Sequence, residues 1–372
     1  MSLLEQALEF SKNFHKDHTR LTGEPVSDHC QRVVQILKDE GIKDEKLLVV
    51  ASLHHVLKYD SSQVMLAKLT EIFGEEIAAL LSLYHALTLK KVKRHTDFQY
   101  NEKLMVQTFL NLAGNMDLLV IRLADKLANL TSSFTLDSDA RTRLAQRALY
   151  IYAPIARLVG LSGFLAKFEE QSFKILYPAD YFRVYRMLKN IEPEAISFFK
   201  DAELFVKTML QEQGIDCVLK FRIKRPFSVF KKERRYIAQG RNLENYIQAF
   251  PDIVAMRVIV NTVEQCYLVD NLLRSVWHTF DEHYEDLIAH PRPSGYKSIH
   301  TVFKVSDKFN LEVQIRTHEM HEYNENGGAS HIFYKAGDNF KANLERDPEW
   351  LRKLNYWEKD IAFDTTEGTK EK

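Results

Sequence analysis

Apolar spacing makes the first division of this chain. Leu66, Leu69, Ile72, Phe73, Ile77, Leu80 and Leu81 recur at intervals of three and four, an apolar stripe of helical period. Residues 45–58, 103–113, 116–131 and 139–159 repeat the pattern, with Asp, Ser, Thr or Asn near several of their starts, as helix N-termini favour. Strand-like alternation is absent up to about residue 175, so the first half reads as all-α.

Past Pro178 the period changes. Residues 180–213 still read as helix, with Pro193 predicting a break into two pieces. β-Branched runs at 217–223, 253–260, 297–305 and 311–317 predict strands, alternating with helical pieces at 226–239, 262–277 and 317–325. An amphipathic segment at 347–361 predicts one more helix before a polar tail. The pattern predicts an all-α domain over 1–176, a helical linker over 177–200, an α+β domain over 201–340, a C-terminal helix over 341–363 and a disordered tail over 364–372.

Composition narrows the function classes. A chain of 372 residues suggests two or three domains at ~150 residues each. Lys plus Arg equals Asp plus Glu at 51 each, so a uniformly basic nucleic-acid coat is excluded and any polyanion site is a local patch. No apolar run approaches the ~20 residues of a membrane span, and the amino terminus lacks the charged and apolar regions of a signal peptide. Cys30, Cys217 and Cys266 are scattered, as in a reducing compartment, so a cytoplasmic location is expected.

Two groups of residues carry candidate chemistry. His29, His54, His55 and Asp125 fall on three predicted helices. Asp125 and Asn129 share a face of the helix at 116–131, with Arg122 and Ser132 on or beside it. Imidazoles and a carboxylate on separate helices can hold a metal, but a histidine on a helix is more often structural, and spacing does not show that these converge.

The second group begins in the basic run of 220–235, where Lys220, Arg222, Lys224, Arg225, Lys231, Lys232, Arg234 and Arg235 face the single acid Glu233. Arg222 and Lys224 point to one side of a predicted strand, and Pro226 suits the start of a helix. A strand feeding a basic helix start can cradle a triphosphate, or form a solvated face; no Gly-rich phosphate loop is present. Asp252 opens an apolar strand holding Arg257, whose charge needs an ion pair or a ligand phosphate. Glu312, Gln314 and Arg316 alternate with Leu311, Val313 and Ile315. The turn-forming stretch at 289–301 presents Tyr296 and His300, and an aromatic on a loop can stack on a base.

These stretches carry a resemblance. ALEFSKNFHKDHTRLTGEPVSDHC, ASLHHVLKYDSS and IRLADKLANL are similar to the signature stretches of the HD-type hydrolase domain in long RelA/SpoT-type alarmone enzymes. That domain removes the 3′-pyrophosphate of ppGpp with Mn²⁺. The resemblance implies metal ligands at His29, His54, His55 and Asp125, and nucleotide contacts at Arg20, Asn129 and Ser132. His55 stands where the family has Asp, and Lys58 and Tyr59 replace an acidic pair that orients or deprotonates the attacking water. Neither is a general base near neutral pH. The expectation is a vestigial site without hydrolase activity, its histidines satisfied within a retained scaffold and Mn²⁺ binding in doubt.

KFRIKRPFSVFKK, the Asp252 strand, HPRPSGYKSIHT and LEVQIRTHEMHEYNENGGASHIFYK resemble, in order, the family's synthetase domain, an α+β nucleotidyltransferase-like fold with a mixed sheet; EWLRKLNYWEKDI resembles the helix after it. The implied reaction is Mg²⁺-dependent transfer of pyrophosphate from ATP to the ribose 3′-hydroxyl of GDP or GTP, giving ppGpp or pppGpp and AMP. The implied roles are Asp252 as metal ligand and Glu312 as second ligand or base. Arg222, Lys224 and Arg257 would hold ATP. Tyr296 would stack on guanine, Arg292 and His300 would lie near the acceptor's phosphates, and Gln314 and Arg316 would support the floor.

Glu285 and Asp286 are acidic where bifunctional members start with a basic residue, which resembles the monofunctional RelA-like synthetases. Ser294 replaces the usual Asn, and Asn326 stands where an aromatic or apolar residue is common. The chain stops about where the family's regulatory half begins, so ribosome-docking C-terminal modules are expected to be absent. The rival readings are a Mn²⁺-dependent hydrolase or bifunctional enzyme using His55, a non-catalytic nucleotide-binding regulator, and a pyrophosphokinase of the tRNA 3′ end whose basic stripe binds RNA.

Overall fold

The computed structural model describes residues 1–89, 115–158, 161–240, 250, 252–292, 295–306 and 309–326. They divide after Leu176 into two compact units. The predicted helices at 103–113 and 347–361, the segments 341–363 and 364–372, and Ser294 lie outside the described residues, as does the side chain of Asn326.

The first unit is all helix: α1 Leu3–Phe14, α2 Val26–Asp39, α3 Glu45–Leu53, α4 Val56–Tyr59, α5 Gln63–Phe73, α6 Glu75–Leu89, α7 Met116–Thr131, α8 Ser138–Arg147, α9 Ala153–Leu158 and α10 Ser162–Leu176. The stripe across 66–81 is shared by two helices, because Gly74 sits between them at φ +89°, where side-chain-bearing residues are strained. The helix expected over 45–58 breaks at His54 and His55, and that over 139–159 passes through a π-helical turn at Ala148–Tyr152 before α9. The seven residues Leu47–Leu53 of α3 are all buried. α2 and α7 pack on α3 and on each other, contributing Cys30, Val33, Val34 and Leu37 from α2 and Leu118, Leu119, Ile121 and Leu123 from α7. Burial at about 1.5–3 kcal/mol per large aliphatic side chain holds these three helices together.

The second unit opens with α11, Pro178–Glu212, which runs unbroken through Pro193. Val184, Leu188, Ile191, Ala195, Phe199, Ala202, Val206 and Leu210 form one buried stripe on both sides of the proline. A proline inside a helix costs about 3 kcal/mol, and that much is recovered by burying two or three such side chains. The predicted break is therefore overridden, and residues 177–200 are not a separate linker.

The strands are β1 Val218–Ile223, β2 Val254–Val260, β3 His278–Thr279, β4 Glu285–Asp286, β5 Ile299–Lys304 and β6 Asn310–Thr317. Their order is β1-β2-β6-β5-β3, with β4 beside β5; β2 and β6 are parallel and the other pairs antiparallel. The sheet is mixed, as expected. The remaining helices among the described residues are α12 Pro226–Ala238, α13 Val263–Val276 and α14 His318–Asn326.

Pairing register gives the sheet two unlike faces. Lys220, Arg257, Gln314, His300 and Glu285 stand in one row across five strands, and Arg222 aligns through Ala255 with Glu312. The alternate residues Phe221, Met256, Val258, Val313, Ile315 and Phe303 form the apolar back. α11 and α13 pack beside these strands, and Phe199 of α11 meets Phe221 at 4.7 Å between ring centres. With its back covered, the sheet presents its charged face for chemistry.

Candidate functional site

In the first unit, helix packing brings His29, His54, His55 and Asp125 together, with one ligating atom from each within 4.8 Å of the others. α2 supplies His29, the break between α3 and α4 supplies the adjacent pair, and α7 supplies Asp125. The His54 and His55 rings lie 4.2 Å apart, and His29 lies 5.5 and 5.1 Å from them. Burial lowers all three imidazole pKa values, His54 to about 3 and His55 well below its ordinary value, so the rings are neutral. Asp125 is buried yet held far below the usual carboxylate range, because Lys126, His29 and Arg122 outweigh the cost of burying its charge.

These are not the satisfied core histidines that were expected. Nε2 of His54 and Nε2 of His29 are buried without a hydrogen-bond partner, although the latter lies 3.2 Å from Asp125 Oδ1. Orphaned ring nitrogens beside a carboxylate fit a metal ion. Asn129 donates to Asp125 Oδ1 at 2.9 Å, and Arg20 bonds Asn129 and donates to His29 Nδ1 at 2.7 Å. Ser132 does not join them; its hydroxyl donates to the Ala128 carbonyl of its own helix.

The two replacements diverge. Tyr59 turns aside, stacking on His18 at 4.1 Å and lying 5.2 Å from His15. Lys58 is half-buried, and burial, followed by the Arg20 charge, lowers its pKa. No carboxylate stands at either position. Lys126, which ion-pairs with Asp125 at 3.0 Å, escaped sequence reasoning because a lysine next in sequence points about 100° round the helix from its neighbour.

In the second unit, the charged face of the sheet gathers the other group. Asp252, just before β2, pairs with Lys224 and with Lys232 at 2.8 Å. Burial would raise its carboxyl, but the two ammonium groups prevail and bring it down to about 2. Its Oδ1 is buried and has no hydrogen-bond partner. Glu312 in β6 lies 3.9 Å from Arg222 and 3.5 Å from His300. Burial works to raise its carboxyl and His300 more than offsets this; Asp252 pushes it up and Lys224 pulls it down, so the two acids act on one another. Ionised oxygens, one of them orphaned, fit a hard divalent cation such as Mg²⁺.

From Glu312 the polar contacts form a closed ring. Gln314 donates to Glu312 at 3.0 Å, and Arg316 donates to Gln314 at 2.9 Å and to the Tyr296 hydroxyl at 2.8 Å. Tyr296 Oη meets His300 Nε2 at 2.9 Å, and His300 faces Glu312. The Tyr296 ring has Arg316 at 5.3 Å and Arg292 at 5.6 Å, and Arg292 ion-pairs with Glu285 at 2.9 Å. Gly295, at φ +78°, shapes this loop; a Cβ there would lie 2.3 Å from Tyr323 Oη. Arg257 shares the row of Gln314 and His300 across the sheet. Sequence reasoning missed Lys232 as the partner of Asp252, since eight basic residues in one run carry no mark of which faces inward.

Known proteins show the same two parts. An HD domain matches residues 7–162, and a region found in RelA / SpoT proteins matches residues 221–339. The chain carries the catalytic region of the RelA/SpoT family. Its first unit is the helical HD domain and its second the α+β synthetase domain. A GTP pyrophosphokinase of Myxococcus xanthus is 29% identical over 368 residues, 97% of this chain and 46% of that protein. A guanosine-3′,5′-bis(diphosphate) 3′-pyrophosphohydrolase of Aquifex aeolicus is 31% identical over 354 residues, 94% of this chain and 48% of that one. The chain thus spans about half the length of these RelA/SpoT relatives. They bear opposite activities, so likeness alone does not assign the RelA-like type. The assembled ligand set gives no support to the expected loss of hydrolase function. No described helix is long and apolar enough to cross a membrane.

Proposed function

We propose that the RelA/SpoT synthetase domain of this chain transfers pyrophosphate from ATP to the ribose 3′-hydroxyl of GDP or GTP. The observation that supports this best is the pair Asp252 and Glu312, close enough to interact electrostatically and flanked by Arg222, Lys224 and Lys232. Asp252 and Glu312 would hold Mg²⁺, which when bound supplies positive charge to the transferred group. Arg222, Lys224 and Arg257 bind the ATP phosphates, which are worth several charge-assisted hydrogen bonds. Tyr296 offers a ring to guanine, with Arg292 and His300 toward the acceptor's phosphates. Gln314 and Arg316 fix the positions of Glu312 and Tyr296. The 3′-oxygen attacks the β-phosphorus, the bond to the bridging α–β oxygen breaks, and AMP leaves. Glu312, ionised at neutral pH, stands to take the hydroxyl proton. Incubation with ATP, GDP or GTP and Mg²⁺, followed by product chromatography, tests the reading; ATP consumed without a guanosine tetra- or pentaphosphate would sink it.

Lys58 and Tyr59 in one unit and Glu285 with Asp286 in the other support a RelA-like, synthesis-dominated type. A second reading, a Mn²⁺-dependent 3′-pyrophosphohydrolase or bifunctional enzyme, is favoured by the gathered His29, His54, His55 and Asp125. Release of pyrophosphate from labelled ppGpp with Mn²⁺ decides for it.

A further inference from the structure

The donor set in the HD domain has a composition of its own. It offers three imidazoles and a single carboxylate, hence one formal negative charge. His54 Nδ1 lies 2.6 Å from the Ala51 carbonyl oxygen, which can only accept. The proton therefore sits on Nδ1, and the lone pair on the buried, unpartnered Nε2. Asp125 keeps Oδ1 beside His29 while Oδ2 is taken by Lys126 at 3.0 Å and Arg122 at 3.4 Å. Arg20 and Lys58 add further positive charge around the set.

A hard cation such as Mn²⁺ is held by oxygen ligands and negative charge, and both are scarce here. Imidazole nitrogen binds the later first-row ions through directional donation that depends less on net charge. We propose that the HD domain holds a zinc-class ion in a closed site, with His29, His54, His55 and Asp125 as all four ligands. Four protein donors fill a tetrahedral shell and leave no position for a reacting water, the arrangement of structural rather than catalytic zinc. The surroundings agree, since Tyr59 packs on His18 and no carboxylate stands at 58 or 59 to activate a water. The ion ties α2, the α3–α4 break and α7 at one point. Ligation by His29 Nε2 needs a proton on Nδ1, so Arg20 gives up its contact there and keeps its pairing with Glu24. This inference rests on the ligand set alone; it is independent of the synthetase reading and stands against the hydrolase one.

The test uses the full chain, stripped with a chelator and titrated separately with Zn²⁺, Co²⁺ and Mn²⁺. The expected result is one tight equivalent of Zn²⁺ or Co²⁺, a raised thermal midpoint, and the intense visible absorption of four-coordinate Co²⁺. His54→Ala should abolish that absorption, which ties it to this site. Most sites rank zinc above manganese, so the deciding comparison is His55→Asp, expected to narrow the preference by about tenfold or more. The weak spectrum of six-coordinate Co²⁺ in the unaltered chain would overturn the proposal, and this arm needs no variant to fold. So would an unchanged preference in a folded His55→Asp protein, or pyrophosphate release from ppGpp by the zinc-loaded chain.

Discussion

Two lysines decide the state of Asp252, and a histidine that of Glu312. Replacing Lys232 with Met removes one of the two cations on Asp252, so its pKa rises from about 2. The acid limb of the synthesis pH–rate profile should then move toward neutrality by roughly one unit or more. Glu312→Gln keeps size and hydrogen bonding but removes the charge; turnover should fall by about a hundredfold or more, with little change in thermal midpoint. His15 gives a prediction about stability. Its ring is buried, and burial, then His18 and Lys58, lower its pKa from 6.5 to about 4. The unfolded chain therefore takes up the proton before the folded one does. The contribution of His15 to stability is complete above about pH 6.5, falls as the pH drops and levels off below about 4. Denaturant midpoints measured across that range should fall less in His15→Gln. At this scale the acids were legible because a charge at the mouth of an apolar strand, or alternating along one, is conspicuous. Lys232 and Lys126 were not, because their roles depend on which way a helix turns.

Among the elements, the long strands and their intervening helices could be read from alternation and period. β3 and β4, of two residues each, are too short to alternate. Gly74 and the His54–His55 break interrupt stripes whose apolar spacing continues across them, so period alone ran through both. Pro193 erred the other way, since a local penalty lost to burial gathered along the whole of α11. Pro193→Ala should accordingly stabilise the synthetase domain, by up to about 3 kcal/mol less the gain in unfolded-chain entropy; the midpoint in urea measures it. Gly295→Ala meets both a positive φ and the Tyr323 hydroxyl. The loop should lose roughly 1–3 kcal/mol of its preferred geometry. Initial rates with each nucleotide varied in turn should show the KM for the guanosine acceptor rising well above any change for ATP.

For the whole molecule, the passage from an all-α first half to an α+β second half was legible because the apolar period itself changes. The meeting of His29, His54, His55 and Asp125 was not, since distance between helices leaves no trace in residue spacing. Zero net charge has a measurable consequence for the proposed function: attraction for ATP would come from the local wall of Arg222, Lys224 and Lys232 and not from the chain at large. Raising the salt until the Debye length falls below about 8 Å should lower kcat/KM for ATP several-fold and affect kcat less. The strand order β1-β2-β6-β5-β3 carries a further implication for biosynthesis. Among the described strands, the one translated last, β6, lies in the middle. While β6 is still inside the ribosome, β1–β2 and β3–β5 have no common neighbour, and Asp252 waits without its counterpart. On the proposed reading, the pairing of Asp252 with Glu312 thus waits on the keystone strand, however early β1 and β2 have met.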